Sequence, residues 1–99
     1  MLVHKHSVTF TEPAGTAYSI RTYGKQRRDG TWIGWIEFHP RDGSGKVVRT
    51  GRETTQPNRK ALAYWADGLE PLYFEGAFER ARRARAGVTS GRTRGSAAS

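Results

Sequence analysis

His4 and His6 stand two residues apart near the start of the sequence. On an extended strand that spacing puts both rings on one face, as a chelated metal ion requires. A metal site needs a third ligand, and the only other histidine is His39. No further residues stand at ligand spacing, so we expect no metal. Nucleophilic chemistry fares no better. There is no cysteine, and no Gly-x-Ser-x-Gly elbow is present. Glu12, Glu37, Glu53, Asp67, Glu70, Glu75 and Glu79 are available acids, but no spacing marks two of them as an acid–base pair. Asp29 and Asp42 precede glycines and read as turn residues. Glu75 and Glu79, one helical turn apart, read as a solvated face. Gly43-Ser44-Gly45-Lys46 shares glycines and a lysine with a phosphate loop. It lacks the full spacing and precedes a strand, so it is not read as one. The expectation is no catalytic set, no cofactor and no enzyme.

Binding is better represented. Arg49-Thr50-Gly51-Arg52-Glu53-Thr54-Thr55-Gln56 is a dense polar run at a strand-to-helix junction. Arg49 and Arg52, with Thr54 and Thr55 at the helix start, compose a candidate anion site. The simpler reading is that Thr54 or Thr55 caps the helix while Glu53 pairs with an arginine. A second constellation mixes rings and cations. Arg21, Tyr23, Lys25, Arg27 and Arg28 lead into a hairpin, and Trp32 and Trp35 follow it. Single-strand binders stack bases on such rings and hold phosphates with flanking Arg and Lys. A basic hairpin also suits a major groove. The competing reading makes these aromatics core.

The elements that must position these groups follow from pattern. Val3–Thr11 alternates loosely and reads as a first strand. Glu12-Pro13-Ala14-Gly15-Thr16 reads as a turn, and Ala17–Tyr23 as a second strand. Asp29-Gly30 between two strand-like runs signals a hairpin. The third strand, Thr31–His39, carries Trp32, Gly34, Ile36 and Phe38 on one face and Ile33, Trp35 and Glu37 on the other. Large apolar groups on both faces suit a central strand. Gly34 between tryptophans suggests a bend, a bulge or the close approach of another backbone. After the looser turn at His39–Gly45, Lys46–Thr50 reads as a fourth strand. Helical spacing then begins: Ala61, Leu62, Trp65, Ala66 and Leu69, a stop at Asp67-Gly68, and a restart at Glu70-Pro71. Phe74, Ala77, Phe78, Ala81 and Ala84 form the second stripe. Glu75 and Glu79 come early in it and Arg82, Arg83 and Arg85 late, which complements a helix dipole. The same residues read equally as one bent helix.

The fold class is therefore α+β: a four-stranded antiparallel meander, then one or two helices packed on one sheet face. Residues 1–86 form a single domain. Residues 87–99 hold Gly, Ser, Thr, Ala and Arg with one large aliphatic, Val88, and read as a disordered tail. A chain of 99 residues has room for one modest core, which large aromatics can build economically. The formal charge of +8 divides unevenly. Residues 1–80 are nearly balanced, whereas 81–99 hold Arg82, Arg83, Arg85, Arg92 and Arg94 and no acid. Such a tail attracts polyanions or merely solubilises. No apolar run has the length of a signal peptide or of a membrane span, so a cytoplasmic location is expected.

The element order resembles double-stranded-RNA-binding-like domains, HicB-type antitoxin domains and the plant ethylene-response DNA-binding domain. That resemblance is one of architecture, and no residue role comes with it. The leading expectation is a binding module for nucleic acid. The hairpin and the tail arginines would contact phosphates, and exposed Tyr23 and Trp35 would contact bases. The alternative is a protein-interaction or regulatory module, homodimeric through an open apolar sheet face of Ile33, Trp35 and Tyr23. A small enzyme is the third reading.

Overall fold

The computed structural model describes residues 1–43 and 45–98, with side chains described as far as Ala84. Three long strands come first: β1 (Leu2–Thr11), β2 (Ala17–Gln26) and β3 (Trp32–Pro40). Two short ones follow, β4 (Val48–Arg49) and β5 (Thr54–Gln56), then α1 (Arg59–Asp67) and α2 (Pro71–Ala98). The sheet is antiparallel in the order β1-β2-β3-β4, with β5 also paired to β3.

One turn chemistry serves the first three strand connections, from β1 to β4. Gly15, Gly30 and Gly43 each donate a backbone hydrogen bond to the carbonyl three residues back, on Glu12 (2.8 Å), Arg27 (3.0 Å) and Pro40 (3.3 Å). Each glycine has positive φ, at 104°, 91° and 75°. Positive φ is confined to glycine among the described residues. The hairpin at Asp29-Gly30 is thus a type I turn closed by a left-handed glycine, one residue longer than a two-residue Asp-Gly loop. Asp29 holds the turn from inside. Its Oδ1 accepts from the Thr31 hydroxyl (2.6 Å) and the Thr31 N–H (2.9 Å). Those bonds hold the carboxyl below its usual range.

The fourth strand differs from the expectation. It does not end at Thr50 but is interrupted there and resumes as β5. Arg49 faces Glu37 and Val48 faces Phe38, then Thr54, Thr55 and Gln56 face Gly34, Ile33 and Trp32. Thr50 bridges the gap. Its N–H donates to the Ile36 carbonyl (2.9 Å), its Oγ1 accepts from the Ile36 N–H (3.0 Å), and its hydroxyl donates to the Gly51 carbonyl (2.8 Å). Thr54 and Thr55 are therefore strand residues, not helix caps. The cap of α1 is Asn58, in extended backbone, whose side chain accepts from the Ala61 N–H at 2.8 Å. The physical reason is local. Pro57 holds Gln56 extended, and Asn is at least as good a cap as Thr.

The helices pack on one sheet face, against the even-numbered residues of β2 and β3. Tyr18, Ile20, Ile36 and Phe38 meet Val48 and the Phe74, Ala77, Phe78 and Ala81 stripe of α2 in one buried cluster. Phe38 and Phe78 meet edge to face at 5.1 Å, an arrangement that adds to simple area burial. Ala84, expected on that stripe, is exposed. The chain breaks between the helices at Gly68, whose N–H reaches back to the Tyr64 and Trp65 carbonyls. There are two helices here, not one bent one.

Helix α1 docks through Leu62, which is fully buried. Its two methyls lie over the paired glycines Gly24 and Gly34. A β-carbon on Gly24 would stand 2.4 Å from Leu62 Cδ2, and one on Gly34 would stand 2.7 Å from Leu62 Cδ1. The close approach anticipated at Gly34 is thus a side chain rather than a backbone.

A second latch ties the β4–β5 connection to α2. Glu53 Oε1 accepts from the Tyr73 hydroxyl and from Arg80 Nη2, and the Glu53 N–H donates to the Gly34 carbonyl at 2.8 Å. Burial, and then the bond to Glu53, holds the Tyr73 hydroxyl above its ordinary pKa. Glu53→Gln is expected to lower unfolding stability by about 1–2 kcal/mol, because Arg80 loses its carboxylate and Tyr73 keeps only a neutral acceptor. Urea unfolding measures it, and an unchanged midpoint would show the latch to be inert.

The backbone of α2 continues through Gly87 to Ala98, where composition alone suggests a loose tail. Side chains from Arg85 onward, including Arg92 and Arg94, lie outside the described residues. Arg82 and Arg83 stand mid-helix, so they do not complement a C-terminal dipole.

Candidate nucleic-acid interface

The odd-numbered residues of β2 and β3 form the other sheet face, which no helix covers. Strand pairing sets its rows. Lys5, Arg21, Glu37 and Arg49 lie side by side across β1, β2, β3 and β4. Tyr23 faces Trp35, Lys25 faces Ile33, and Ser19 faces His39. Arg41 extends the alternation past β3. Its N–H donates to the Ala17 carbonyl (2.9 Å), and its Nη1 donates to Thr9 Oγ1 (2.9 Å).

Charge on this face is one-sided. Lys5, Arg21, Lys25, Arg41 and Arg49 are cationic, and Glu37 is the single carboxylate. Both oxygens of Glu37 are occupied by rings. Oε2 accepts from Trp35 Nε1 at 3.0 Å and Oε1 lies 3.0 Å from His39 Nε2. Neither arginine beside Glu37 lies within ion-pair distance of it. Arg21 Nε is buried with no hydrogen-bond partner, alone in this among the buried side-chain polar atoms of the described residues. Arg49 lies over the Trp35 ring at 4.4 Å, a cation–π contact.

Planar groups run in series beside the cations. Tyr23 is near-parallel to Trp35 (6.2 Å, 15°) and to His39 (6.4 Å, 29°). Their cover corrects one expectation. Trp35 is not an exposed base platform, since Tyr23 and Arg49 leave it 9% exposed. Tyr23 and Ile33 are half-buried. The open face is thus a cationic surface with rings set into it, not an exposed apolar patch.

The expected site residues divide. Arg21, Tyr23, Lys25 and Trp35 come together on the open face, and Arg27 and Arg28 are exposed at the hairpin beyond its end. Arg82 and Arg83 do not join them. They stand on α2, across the sheet, where Arg82 lines a groove of about 460 Å³ between β1 and α2 with Glu75 and Glu79. Arg85 lies outside the described side chains.

The anion site of Arg49, Arg52, Thr54 and Thr55 does not assemble. Arg49 turns to Trp35, Thr54 packs beside Gly34, and Arg52 and Thr55 are exposed. The helix N-terminus meant to complete it begins at Arg59 instead. Glu37 falls on the face that alternation gave it with Ile33 and Trp35, whereas Arg49, Arg41 and His39 were not legible as parts of the open face. Extending the alternation of the third strand to His39 and Arg41 would have added two of them.

His4 and His6 lie on the helix side. His6 Nε2 is 2.7 Å from Thr22 Oγ1, and the His6 ring meets His4 at 4.5 Å and Phe74 at 4.8 Å. Burial first, then the neighbouring His4, lowers its pKa from 6.5 to about 4, against a smaller opposite pull from Asp67. Among the described residues no group of three metal-ligating side chains converges. Among the described residues no helix is long and apolar enough to cross a membrane. No protein-family model, curated protein or solved structure matches this chain.

Proposed function

We propose that this chain is a non-enzymatic, cytoplasmic nucleic-acid-binding module whose interface is the open sheet face. The observation that carries this reading is the charge asymmetry of that face. Five cationic residues surround a single carboxylate, and both carboxylate oxygens are already committed to Trp35 and His39. A field of one sign over a ring-bearing surface attracts a polyanion and orients it.

The same asymmetry disfavours self-association through this face. A twofold pairing would set the row of Lys5, Arg21 and Arg49 against its own copy and juxtapose like charges. The apolar patch that a dimer needs is reduced by the cover over Trp35.

The test is a salt titration of binding to short labelled DNA and RNA. About four phosphate contacts on a single strand predict a loss of roughly 50-fold in affinity between 50 and 200 mM salt. The full chain should be compared with one ending at Gly87. Salt-sensitive binding that survives shortening is the expected result. Binding indifferent to salt, or lost with residues 88–99, overturns the reading.

A further inference from the structure

We propose that Arg21 and Lys5 form a discrete subsite for one phosphate group of a single-stranded nucleic acid. The inference rests on the open-face reading above and narrows it to two side chains and one form of ligand.

Three observations converge on Arg21. It sits in β2, inside the sheet, with cross-strand neighbours Lys5 on β1 and Glu37 on β3. The carboxylate beside it is not within ion-pair distance of it, and its two oxygens instead contact Trp35 Nε1 and His39 Nε2. Its own Nε is buried without an acceptor. A buried N–H left unpaired is destabilising, and a native structure that keeps one needs a reason. A guanidinium that turns outward to a phosphate recovers that bond. It does so through a planar fork whose geometry matches two phosphate oxygens. Lys5, exposed on the neighbouring strand, adds a second cation about one strand spacing away, roughly 5 Å.

The rings decide the form of the ligand. Tyr23 is two residues from Arg21 on the same face, and Trp35 and His39 flank its ring. A nucleotide with its phosphate on Arg21 brings its base to the half-buried Tyr23 and His39 rings only if the base is unstacked. A duplex hides its base faces, whereas a single strand presents them.

The test uses the whole chain and the Arg21 Nε–Hε resonance, followed by NMR during titration with inorganic phosphate and, separately, with an unstructured DNA 12-mer, its RNA counterpart and the matching duplex. Movement of the Arg21 resonance is expected with phosphate and with single strands, with the duplex binding more weakly. Arg21→Lys keeps the charge and loses the fork, and should weaken single-strand binding about tenfold, the scale of one charge-assisted bond. Lys5→Gln, on an exposed side chain, guards against an Arg21 variant that fails to fold. It should weaken binding several-fold.

An Arg21 resonance unmoved by phosphate or by any strand overturns the subsite. If single strands nevertheless bind with salt sensitivity, the open-face reading survives without it. A duplex that binds as well as the single strand overturns the single-strand assignment. Phosphate that moves Arg21 when no DNA or RNA binds overturns the nucleic-acid ligand for subsite and face alike.

Discussion

Leu62→Ala is expected to lower the unfolding free energy by about 2–5 kcal/mol, among the largest single-residue effects in this domain. Leu62 is fully buried and is the side chain through which α1 meets the glycine pair of β2 and β3. Removing it opens a cavity over a part of the sheet that has no side chains of its own to fill it. Substitutions on the other side of the contact probe the same seat. Gly→Ala within a strand ordinarily gains some tenths of a kcal/mol through the unfolded chain. At Gly34 the sign should reverse, because the new β-carbon would stand 2.7 Å from Leu62 Cδ1 and 3.2 Å from Thr54 Cγ2. Leu62 has little room to yield, since its other methyl lies over Gly24. We expect Gly34→Ala to cost about 1–3 kcal/mol by overpacking. In a Leu62→Ala background most of that cost should vanish, since the Leu62 clash is gone and only the 3.2 Å approach to Thr54 Cγ2 remains. A double-mutant cycle in urea measures the coupling. Strict additivity of the two changes would show that α1 docks by other contacts.

This seat was half legible in the sequence. Gly34 stands out between Trp32 and Trp35, and a strand glycine implies a close approach. Gly24 does not stand out, because it lies where β2 merges into a basic, turn-like run ending at Asp29-Gly30. Pairing Gly24 with Gly34 requires the hairpin register, and that depends on a loop one residue longer than the Asp-Gly signal suggests. The meander, the helical stripes and the break at Gly68 were legible because period and punctuation agree there. Thr54–Gln56 was not. Three polar residues carry no period, and their strand form comes from pairing with Trp32–Gly34, a tertiary fact. The candidate site was legible where alternation runs on. Arg21, Tyr23, Lys25 and Trp35 share a face because they are odd-numbered residues of two paired strands. The cover over Trp35 was not legible, since it depends on Arg49 of another strand. The occupation of Glu37 by two rings was invisible for a similar reason. Composition counts a carboxylate as one negative charge, whatever hydrogen bonds it accepts.

Stability should fall as the pH is lowered from about 6.5 to about 4, and His6 is the residue that imposes this. Its folded pKa is depressed, from 6.5 to about 4. Above 6.5 the imidazole is neutral in both states, and its contribution is fully present. Between 6.5 and 4 the unfolded chain takes up a proton that the folded chain refuses, so acidification favours unfolding. Below about 4 both states are protonated and the loss levels off. The full displacement corresponds to at most about 3 kcal/mol, and solvent reaching a partly buried ring brings it nearer 1–2 kcal/mol. Burial sets the sign, and the groups that face the ring modify it. Phe74 offers a cation only its ring, Thr22 Oγ1 is 2.7 Å from Nε2, and the His4 ring 4.5 Å away disfavours a charge on His6. Asp67 pulls the other way and is the weaker influence. His6→Gln keeps a hydrogen-bonding group for Thr22 and removes the titration. The variant should lose most of the slope in unfolding free energy between pH 6.5 and 4, while other carboxylates still act at the acid end. An unchanged slope would assign the acid sensitivity to those carboxylates instead.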